Sequence, residues 1–451
     1  MASTGEYRQV GEQAWSWVLD HVRDDEGPWL PGSVEAGWES AGPPADRDSL
    51  YAGVAGLAPV LVEIAEARPW TDAERRLCDA VVDRLSAMVA TRSEPSLYDG
   101  LAGDATALRM LSPPAAPLAL QRLEELSGPD GWATTFEVAG AAGRCLHDVV
   151  MGTAGVVMTA VWIGGAAGAN VTAAGADALI RAAERSEAGL DWGMWSGAES
   201  RGPNYSHGTA GIASALAVAG VALDRPELVE AAVLGTQHLL AIGTLDDDGF
   251  VVPHTIPPSK REVEPVTYTW CHGPTGTSQL FAALAHAGVD DVNGIGVVEL
   301  RQRCLRSVLG SGVPRRLRPG FWDNDGRCCG TAGVGDVLLD ASQEAQDPIL
   351  AGRLLAAART MGDALLERAI RHDAGSFWRF VEHRQNPPLL PPGTSWMQGA
   401  AGIAAFLLRL ARVVEDGLDA TVVDRPDEWW AVPARLRRYA SAAPITRPSG
   451  L

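Results

Sequence analysis

Residues 206–211 are Ser-His-Gly-Thr-Ala-Gly, and this stretch is the fourth of seven copies of the pattern x-x-Gly-x-x-Gly. The first glycines of the copies are residues 53, 100, 152, 208, 273, 330 and 399, about 50–70 residues apart. One copy would carry little information, because short glycine patterns are common. Seven copies at regular spacing predict a repeat architecture that extends through most of the chain.

Two kinds of helix alternate along this repeat. Each copy begins a helix rich in Ala, Leu and Val that has no polar face and is therefore predicted to be buried. Each is followed by a more charged helix, predicted to lie outside, as at residues 174–188, 225–242, 296–309 and 347–370. Seven inner and seven outer helices predict an all-α fold, an α/α toroid built as a double ring. The residues just before the glycines should then meet at one mouth of the central cavity.

The extent of the repeat also predicts the domain organisation. Residues 1–48 should form an N-terminal helical extension that packs on the toroid, residues 49–440 the toroid itself, and residues 441–451 a loose tail. No apolar run reaches the roughly 20 residues of a membrane helix, and the N-terminus lacks a secretory signal. We therefore expect a cytoplasmic location without an integral membrane segment. The net charge of −19 argues against a nucleic-acid partner, since phosphate binding needs clustered Lys and Arg.

The cysteines point to a metal site. In a chain without a secretory signal they indicate reduced thiols or metal ligands. Cys271 and Cys328 lie two residues before the first glycines of copies five and six, which are neighbours in the ring, and Cys329 lies directly before the glycine of copy six. Zinc takes thiolate ligands readily, and a catalytic zinc site keeps three protein ligands and one open position. We therefore predict that these three thiols bind zinc. The other cysteines fall in helix bodies and are expected to be inert core thiols: Cys78, Cys145 and Cys304.

Two histidines occupy the position directly before the first glycine, His207 in copy four and His272 in copy five. A lone histidine is most often structural. The register of His207, one copy before Cys271, instead favours general acid–base chemistry close to the metal. Asp148 lies four residues before the glycine of copy three, where a helix cap or a solvated carboxylate is an open alternative to a functional role.

These stretches resemble the lanthionine synthetase C (LanC-like) cyclases over about residues 51–410. The shared motifs are Ser-His-Gly-x-x-Gly at 206–211, Trp-Cys-His-Gly at 270–273, Cys-x-Gly at 328–330 and Trp-Met-Gln-Gly at 396–399. The resemblance implies a zinc-dependent toroid that adds a peptide cysteine thiolate to dehydroalanine or dehydrobutyrine within one precursor peptide. About 50 residues before the repeat are too few for a dehydration domain. The expected partners are thus the dehydrated precursor peptide and a separate dehydratase, in a complex or acting independently.

The resemblance also implies the roles of single residues. Cys271 and Cys328 correspond to the two cysteine ligands of the family, whereas Cys329 stands where most members have a histidine ligand. Some bifunctional relatives likewise carry three cysteines. The third thiolate places more negative charge on the zinc, so the substrate sulphur should be more nucleophilic.

For proton transfer, the resemblance implies that His207 is the proton-handling histidine and that Asp148 is the acidic residue before the third glycine pair. Two positions depart from nisin-type cyclases. Thr267 stands where these carry an arginine, and His272 where they carry a tyrosine. Both departures concern the protonation of the enolate, for which His207 and His272 are the candidates.

Three alternatives remain open from the sequence. The first alternative is the same thiol addition on a different substrate, with glutathione as the thiol and dehydrated or damaged proteins as its target, as in eukaryotic LanC-like proteins. The second alternative is an enzyme of another class with the same toroid fold. It would be a zinc-dependent prenyltransferase subunit, or a glycosidase that uses Asp99 and Asp148 as paired carboxylates. The third alternative is a non-catalytic toroid that docks a peptide in a biosynthetic complex.

Overall fold

A computed structural model describes residues 2–34, 47–137, 141–258, 264–315, 324–372, 375–381 and 386–437, so the predicted loose tail 441–451 lies outside the described residues. Seven helices follow the repeated glycines and form the inner ring: α2 (Leu57–Ala67), α4 (Leu101–Leu111), α6 (Thr153–Ile163), α8 (Thr209–Leu223), α10 (Pro274–His286), α12 (Thr331–Glu344) and α14 (Ala400–Asp416). The outer helices are α1 (Thr4–His21), α3 (Asp72–Met88), α5 (Ala116–Leu126), α7 (Gly165–Ala182), α9 (Pro226–Ile242), α11 (Val297–Gly310) and α13 (Pro348–Arg368).

The predicted α/α toroid is confirmed. The outer helices expected at 225–242, 296–309 and 347–370 are observed within two residues of those bounds. The helix expected at 174–188 instead spans 165–182: it begins directly after Gly164, whose positive φ of 73° ends the preceding helix, and the chain turns into a short strand at Glu184. Within the described residues, no helix is both long and apolar enough to cross a membrane.

Short β-hairpins lie in the connections between the helices. The described residues contain five antiparallel pairs: β1 (Glu184–Arg185) with β2 (Leu190–Asp191), β3 (Thr244–Leu245) with β4 (Phe250–Val251), β5 (Asp291–Val292) with β6 (Ile295–Gly296), β7 (Ile370–His372) with β8 (Gly375–Phe377), and β9 (Arg379–Val381) with β10 (Leu389–Pro392). Strands of two to four residues cannot form a core of their own. The core therefore belongs to the helices.

A closed circle of backbone hydrogen bonds joins the seven repeats at one end of the ring. In each copy, the residue two before the first glycine donates its N–H to the carbonyl of the same residue in the next copy, at 2.8–3.3 Å. The last copy donates to the first, which closes the circle. We call these residues the mouth ring: Tyr51, Tyr98, Val150, Ser206, Cys271, Cys328 and Met397.

The glycines allow this close packing. A Cβ added to Gly208 would overlap the carbonyl oxygen of Gly202, and one added to Gly211 would overlap that of Tyr205. Backbone atoms cannot move aside as the end of a flexible side chain can. Gly208 is therefore required by the approach of two backbone segments, and its extended φ of −169° would suit any residue.

The first helix of the chain completes the outer ring. Helix α1, predicted as part of an extension at 1–48, packs along α14, where Gly11 approaches Leu408 closely. Tyr7 of α1 is fully buried, and its hydroxyl donates a hydrogen bond to Asp363 of α13. The N-terminal and the C-terminal repeat helices thus meet at a seam between α14 and α1, and α1 is the seventh outer helix.

The start of α3 is tied to α1 by one buried carboxylate. Thr71 and Glu74 form a capping box, in which the Glu74 carboxylate accepts the Thr71 N–H at 2.6 Å. The same carboxylate accepts hydrogen bonds from Arg68 at 2.8 Å and from Trp15 of α1 at 2.7 Å. Burial opposes ionisation of Glu74, but these bonds lower its pKa to about 2. Its negative charge therefore stabilises the folded chain.

The chain after α14 turns back into the centre of the ring. We call residues 417–437 the closing segment. Its Trp430 donates to the carbonyl of Gln279 in α10 at 3.0 Å, and Tyr98 donates to its Asp427 at 3.0 Å. Because these partners belong to copies five and two, the closing segment spans the centre and lies beneath the mouth ring.

Charged groups hold this segment in place although they are buried. Asp336 of α12 accepts hydrogen bonds from Arg409 at 2.8 Å and from Arg425 of the closing segment at 2.9 Å. Burial opposes ionisation of Asp336, but these arginines together with Arg327 hold its pKa well below the ordinary range. Breaking one member of such a network leaves an unpaired buried charge, which is strongly destabilising.

Candidate active site

Three sulphur atoms meet on the mouth ring. The Sγ atom of Cys329 lies 3.5 Å from that of Cys271 and 3.3 Å from that of Cys328, and all three lie within 4.8 Å of one another. The side chains are at least 93% buried, since none is more than 7% exposed. The structure therefore brings together the three cysteines that the sequence predicted as metal ligands.

The donor set fits a zinc ion. Thiolates that bind zinc tetrahedrally at about 2.3 Å lie about 3.8 Å apart, close to the observed separations. A disulfide would need about 2.05 Å, and all six cysteines are free. Among the residues that the structure describes, this is the one group of three or more His, Cys, Asp or Glu side chains close enough to share an ion.

Hydrogen bonds among the three thiols shift their pKa values in opposite directions. Hydrogen bonds from Cys271 and Cys329, acting against burial, hold the pKa of Cys328 well below the ordinary thiol range. Burial raises the pKa of Cys271, as does its hydrogen bond with the Cys328 sulphur. Cys328 is therefore the thiol that loses its proton most readily, and a metal ligand must be deprotonated to bind.

Two hydroxyl groups touch this sulphur cluster. Thr269 Oγ1 lies 3.2 Å from Cys271 Sγ. Burial, followed by the negative charges of Cys328 and Cys329 and a hydrogen bond with Cys328, raises the pKa of Tyr51 well above its ordinary value. The sequence analysis did not single out either residue.

A polar side chain four residues before the first glycine orients the residue directly before it. Asn204 Oδ1 accepts the N–H of His207 at 2.8 Å, and Thr269 Oγ1 accepts that of His272 at 3.4 Å. The same position is polar in six of the seven copies: Ser49, Ser96, Asp148, Asn204, Thr269 and Ser395, with Gly326 the exception. This local cap explains why the imidazoles are held at the mouth.

Asp148 combines this capping role with a second contact. Its Oδ1 accepts the N–H of Met151 at 2.6 Å, and its Oδ2 lies 2.8 Å from Nδ1 of His207. The carboxylate is fully buried, whereas the His207 side chain is 31% exposed. Asp148 is therefore both a helix cap, through Oδ1, and a partner of His207, through Oδ2. The two roles that the sequence left open are not exclusive.

The protonation of His207 follows from this contact. Burial opposes the charged imidazolium, but the hydrogen bond and charge of Asp148, with the charge of Cys328, raise the pKa of His207 above its ordinary value. A carboxylate only accepts hydrogen bonds, so the neutral ring must carry its proton on Nδ1. Nε2 is then the atom that accepts a proton.

Two further imidazoles lie beside His207. The rings of His207 and His272 have centroids 5.6 Å apart, and His254 stacks on His272 at 4.2 Å with an interplanar angle of 24°. Burial lowers the pKa of His254 to about 4 and that of His272 well below its ordinary value, and the neighbouring imidazoles add to both effects. Both rings are therefore neutral at pH 7.

The sequence analysis did not identify Tyr51, Thr269 or His254 as site residues. The repeat contains a signal for the first two of them but none for His254. Tyr51 occupies the same register as Cys271 and Cys328, and Thr269 the polar position before a glycine, so the aligned copies contain both signals. His254 lies in the connection after β4, where no repeat register exists. Asn204 holds that connection by donating to the His254 carbonyl at 3.3 Å.

Comparisons with known proteins show the family and the fold of the chain. The profile of the family described as "Lanthionine synthetase C-like protein" matches residues 44–420. None of the curated proteins compared matches the chain. Among solved structures, nisin cyclase is similar with a TM-score of 0.51 and 15% identity, over 81% of this chain and 88% of that one. An unsaturated glucuronyl hydrolase from Bacillus sp. GL1 has a TM-score of 0.43 and 14% identity, over 94% of this chain and 98% of the hydrolase. At this identity, nisin cyclase supports the fold alone.

Proposed function

The chain belongs to the lanthionine synthetase C-like family, and from this premise we propose that it closes thioether rings in a dehydrated precursor peptide. The reaction joins the sulphur of a peptide cysteine to the β-carbon of dehydroalanine or dehydrobutyrine and yields lanthionine or methyllanthionine. One observation carries the proposal: the three-sulphur cluster and the Asp148–His207 pair lie at the same mouth, and the charge of Cys328 acts on His207.

Cys271, Cys328 and Cys329 would hold a zinc ion. When bound, zinc supplies a Lewis acid that lowers the pKa of a substrate thiol, so that the thiolate forms near neutral pH. Three protein ligands leave one position of a tetrahedral site for that sulphur.

His207 would accept the proton of the substrate thiol. Asp148 keeps the Nδ1–H tautomer, so Nε2 is the basic atom. After the sulphur–carbon bond forms, the resulting enolate takes one proton at Cα, so that no atom is gained or lost overall. His207, protonated in the first step, is the primary candidate for this donation. His272, at 5.6 Å between ring centroids, is the second by position, but its lowered pKa makes it the weaker candidate as a proton donor.

The expected partners are a dehydrated precursor peptide and a separate dehydratase, and the expected location is the cytoplasm. Asp148 does not favour the glycosidase alternative, because both of its oxygens are engaged within the protein. A general acid of a glycosidase must present a proton to its substrate.

The decisive experiment is incubation with a dehydrated, cysteine-containing precursor peptide. Ring closure leaves the mass of the peptide unchanged, so the readout is the number of thiols that alkylation still modifies. We expect that number to fall with the parent protein and with Cys304→Ala, whose sulphur lies in the core. Undiminished thiols, together with a full complement of zinc, would contradict the proposal.

Two additions sharpen the result. Glutathione in the same mixture would add its mass to the peptide if the enzyme favours an external thiol, which distinguishes that alternative from ring closure. His207→Ala should keep its zinc and lose about 10²–10⁴-fold in rate, the usual worth of a general acid–base group. Loss of zinc from this variant would instead make His207 a ligand or a structural support.

A further inference from the structure

We propose that Tyr51 and Thr269 act as positioning residues of the sulphur cluster, whose hydroxyl groups donate hydrogen bonds to Cys328 and Cys271 and so limit the negative charge of a three-thiolate metal site. This inference rests on the proposed function, because it presumes that the cluster holds a metal. It goes further because it assigns a role to Tyr51 and Thr269: their hydrogen bonds reduce the electron density on the ligand sulphur atoms.

The need for such donors follows from charge and burial. A divalent cation with three thiolates carries one net negative charge, whereas two thiolates and one histidine leave the site neutral. The three cysteines are at most 7% exposed, so water cannot solvate the excess charge. Buried charge is costly unless it is paired or hydrogen-bonded, and hydrogen bonds to charged acceptors are about twice as strong as neutral ones.

The direction of the Thr269 hydrogen bond is set by its other contact. Its Oγ1 accepts the N–H of His272 at 3.4 Å, which leaves the hydroxyl proton for the Cys271 sulphur at 3.2 Å. A sulphur bound to a metal has no proton to donate. The hydroxyl must therefore be the donor when the site is loaded.

Tyr51 belongs to copy one, which lies two copies from the Cys328 copy around the closed circle. Its N–H donates to the Tyr98 carbonyl at 2.8 Å and its carbonyl accepts the N–H of Met397 at 3.2 Å, so both peptide groups belong to the mouth ring. Its aromatic ring meets that of Tyr98 edge-on, at 6.1 Å and 80°. These contacts orient the side chain, and a hydrogen bond from Tyr51 is one of the causes that hold the pKa of Cys328 below the ordinary thiol range.

The two donors have a chemical consequence for the substrate. Each hydrogen bond withdraws electron density from a ligand sulphur, so the ligands give less density to the metal. A more electron-poor metal lowers the pKa of a bound substrate thiol further. Loss of either hydroxyl should therefore raise the pH at which thiol addition reaches half of its maximum rate.

The test uses variants that remove one hydroxyl and keep the shape of the side chain. Tyr51→Phe and Thr269→Val should shift the sulphur-to-metal charge-transfer band of the cobalt-substituted protein to longer wavelength, because an electron-rich sulphur is oxidised more easily. Zinc affinity, measured by competition with a chelator, should fall about 10–100-fold, as is typical when a group that orients a ligand is lost. Thr269→Ser, which keeps the hydroxyl, should retain the parent band.

Matched controls come from the same registers. Tyr98→Phe removes the neighbouring mouth-ring hydroxyl, which bonds to Asp427 and not to sulphur. Thr267→Val alters a threonine that is only 2% exposed and whose hydroxyl has no hydrogen-bond partner among the described residues. Both control variants should keep the parent band and the parent zinc affinity.

The outcomes separate this inference from the proposed function. A parent protein that takes up no cobalt or zinc would contradict the metal site itself. A fully loaded parent whose band is unchanged in both Tyr51→Phe and Thr269→Val would overturn the hydrogen-bond inference alone. An equal shift in Tyr98→Phe would also overturn it, because that shift would reflect packing.

Discussion

Asp148→Asn should remove catalysis while leaving the fold and the metal site in place. The substitution is nearly isosteric, and the amide oxygen can still accept the Met151 N–H that Asp148 Oδ1 accepts at 2.6 Å. The amide nitrogen would then face Nδ1 of His207, which lies 2.8 Å from the present Oδ2. Because an amide nitrogen only donates, His207 would have to accept at Nδ1 and carry its proton on Nε2. The atom that should receive the substrate proton would already be protonated.

The structure sets the size of each effect. Loss of a general base costs about 10²–10⁴-fold, which corresponds to about 3–5 kcal/mol in the activation free energy. The stability cost is smaller, because a charged hydrogen bond is replaced by a neutral one, a difference of about 1 kcal/mol. Removal of the carboxylate charge should also lower the pKa of His207, so any residual pH dependence should move to lower pH.

Three measurements on one preparation test this prediction: thiol loss from a dehydrated peptide against pH, zinc content, and urea unfolding. Ser395→Ala is the matched control, since Ser395 caps Gln398 from the equivalent position in copy seven, at 3.4 Å. It should lose some stability and keep its rate. If Asp148→Asn closed rings at the parent rate, the tautomer argument would be wrong, and a loss of zinc would show that Asp148 supports the metal site instead.

Three further outcomes are expected. Cys271→Ala should lose most of its bound zinc and Cys304→Ala none, measured by metal analysis, and equal zinc in both would place the site elsewhere. Gly208→Ala should prevent folding or strongly lower the free energy of unfolding, because the added Cβ overlaps a backbone carbonyl, whereas Gly352→Ala, which faces open space, should not. Glu74→Gln should reduce the free energy of unfolding at pH 7 by up to about 3 kcal/mol, the equivalent of a pKa lowered from 4.5 to about 2. Because that stabilisation is present above the unfolded pKa and lost as pH falls through the folded one, parent and variant should converge between about pH 5 and 2 in denaturant unfolding, and a constant gap would contradict the assignment.

The repeat made the architecture accessible from the sequence. Seven glycine pairs placed the starts of the inner helices, and alignment on the first glycine put Cys271 and Cys328 in the same register, with Cys329 in the adjacent one. The cluster of three sulphurs follows from that register because the repeats have equal geometry. The same alignment indicated that His207 would lie near the cysteines.

What remained hidden depends on contacts outside the repeat. The stack of His254 on His272 is set by a connection that has no counterpart in the other copies. The burial of Arg425 against Asp336 is set by a segment after the last helix. For Asp148, the position before the third glycine pair was clear from the sequence. The contacts of its two oxygens, with the Met151 N–H and with His207, became visible only in the structure.

The seam between α14 and α1 has a consequence for synthesis on the ribosome. Helix α1 leaves the exit tunnel first, yet its partner α14 ends about 90 residues after Cys329, which is roughly 5–20 s of translation. Every segment leaves the tunnel with the same delay, so the three thiols emerge that much earlier than the end of α14, which completes the last repeat. In an oxidising environment these exposed thiols would be open to disulfide formation until the circle closes, whereas a reducing environment would keep them free.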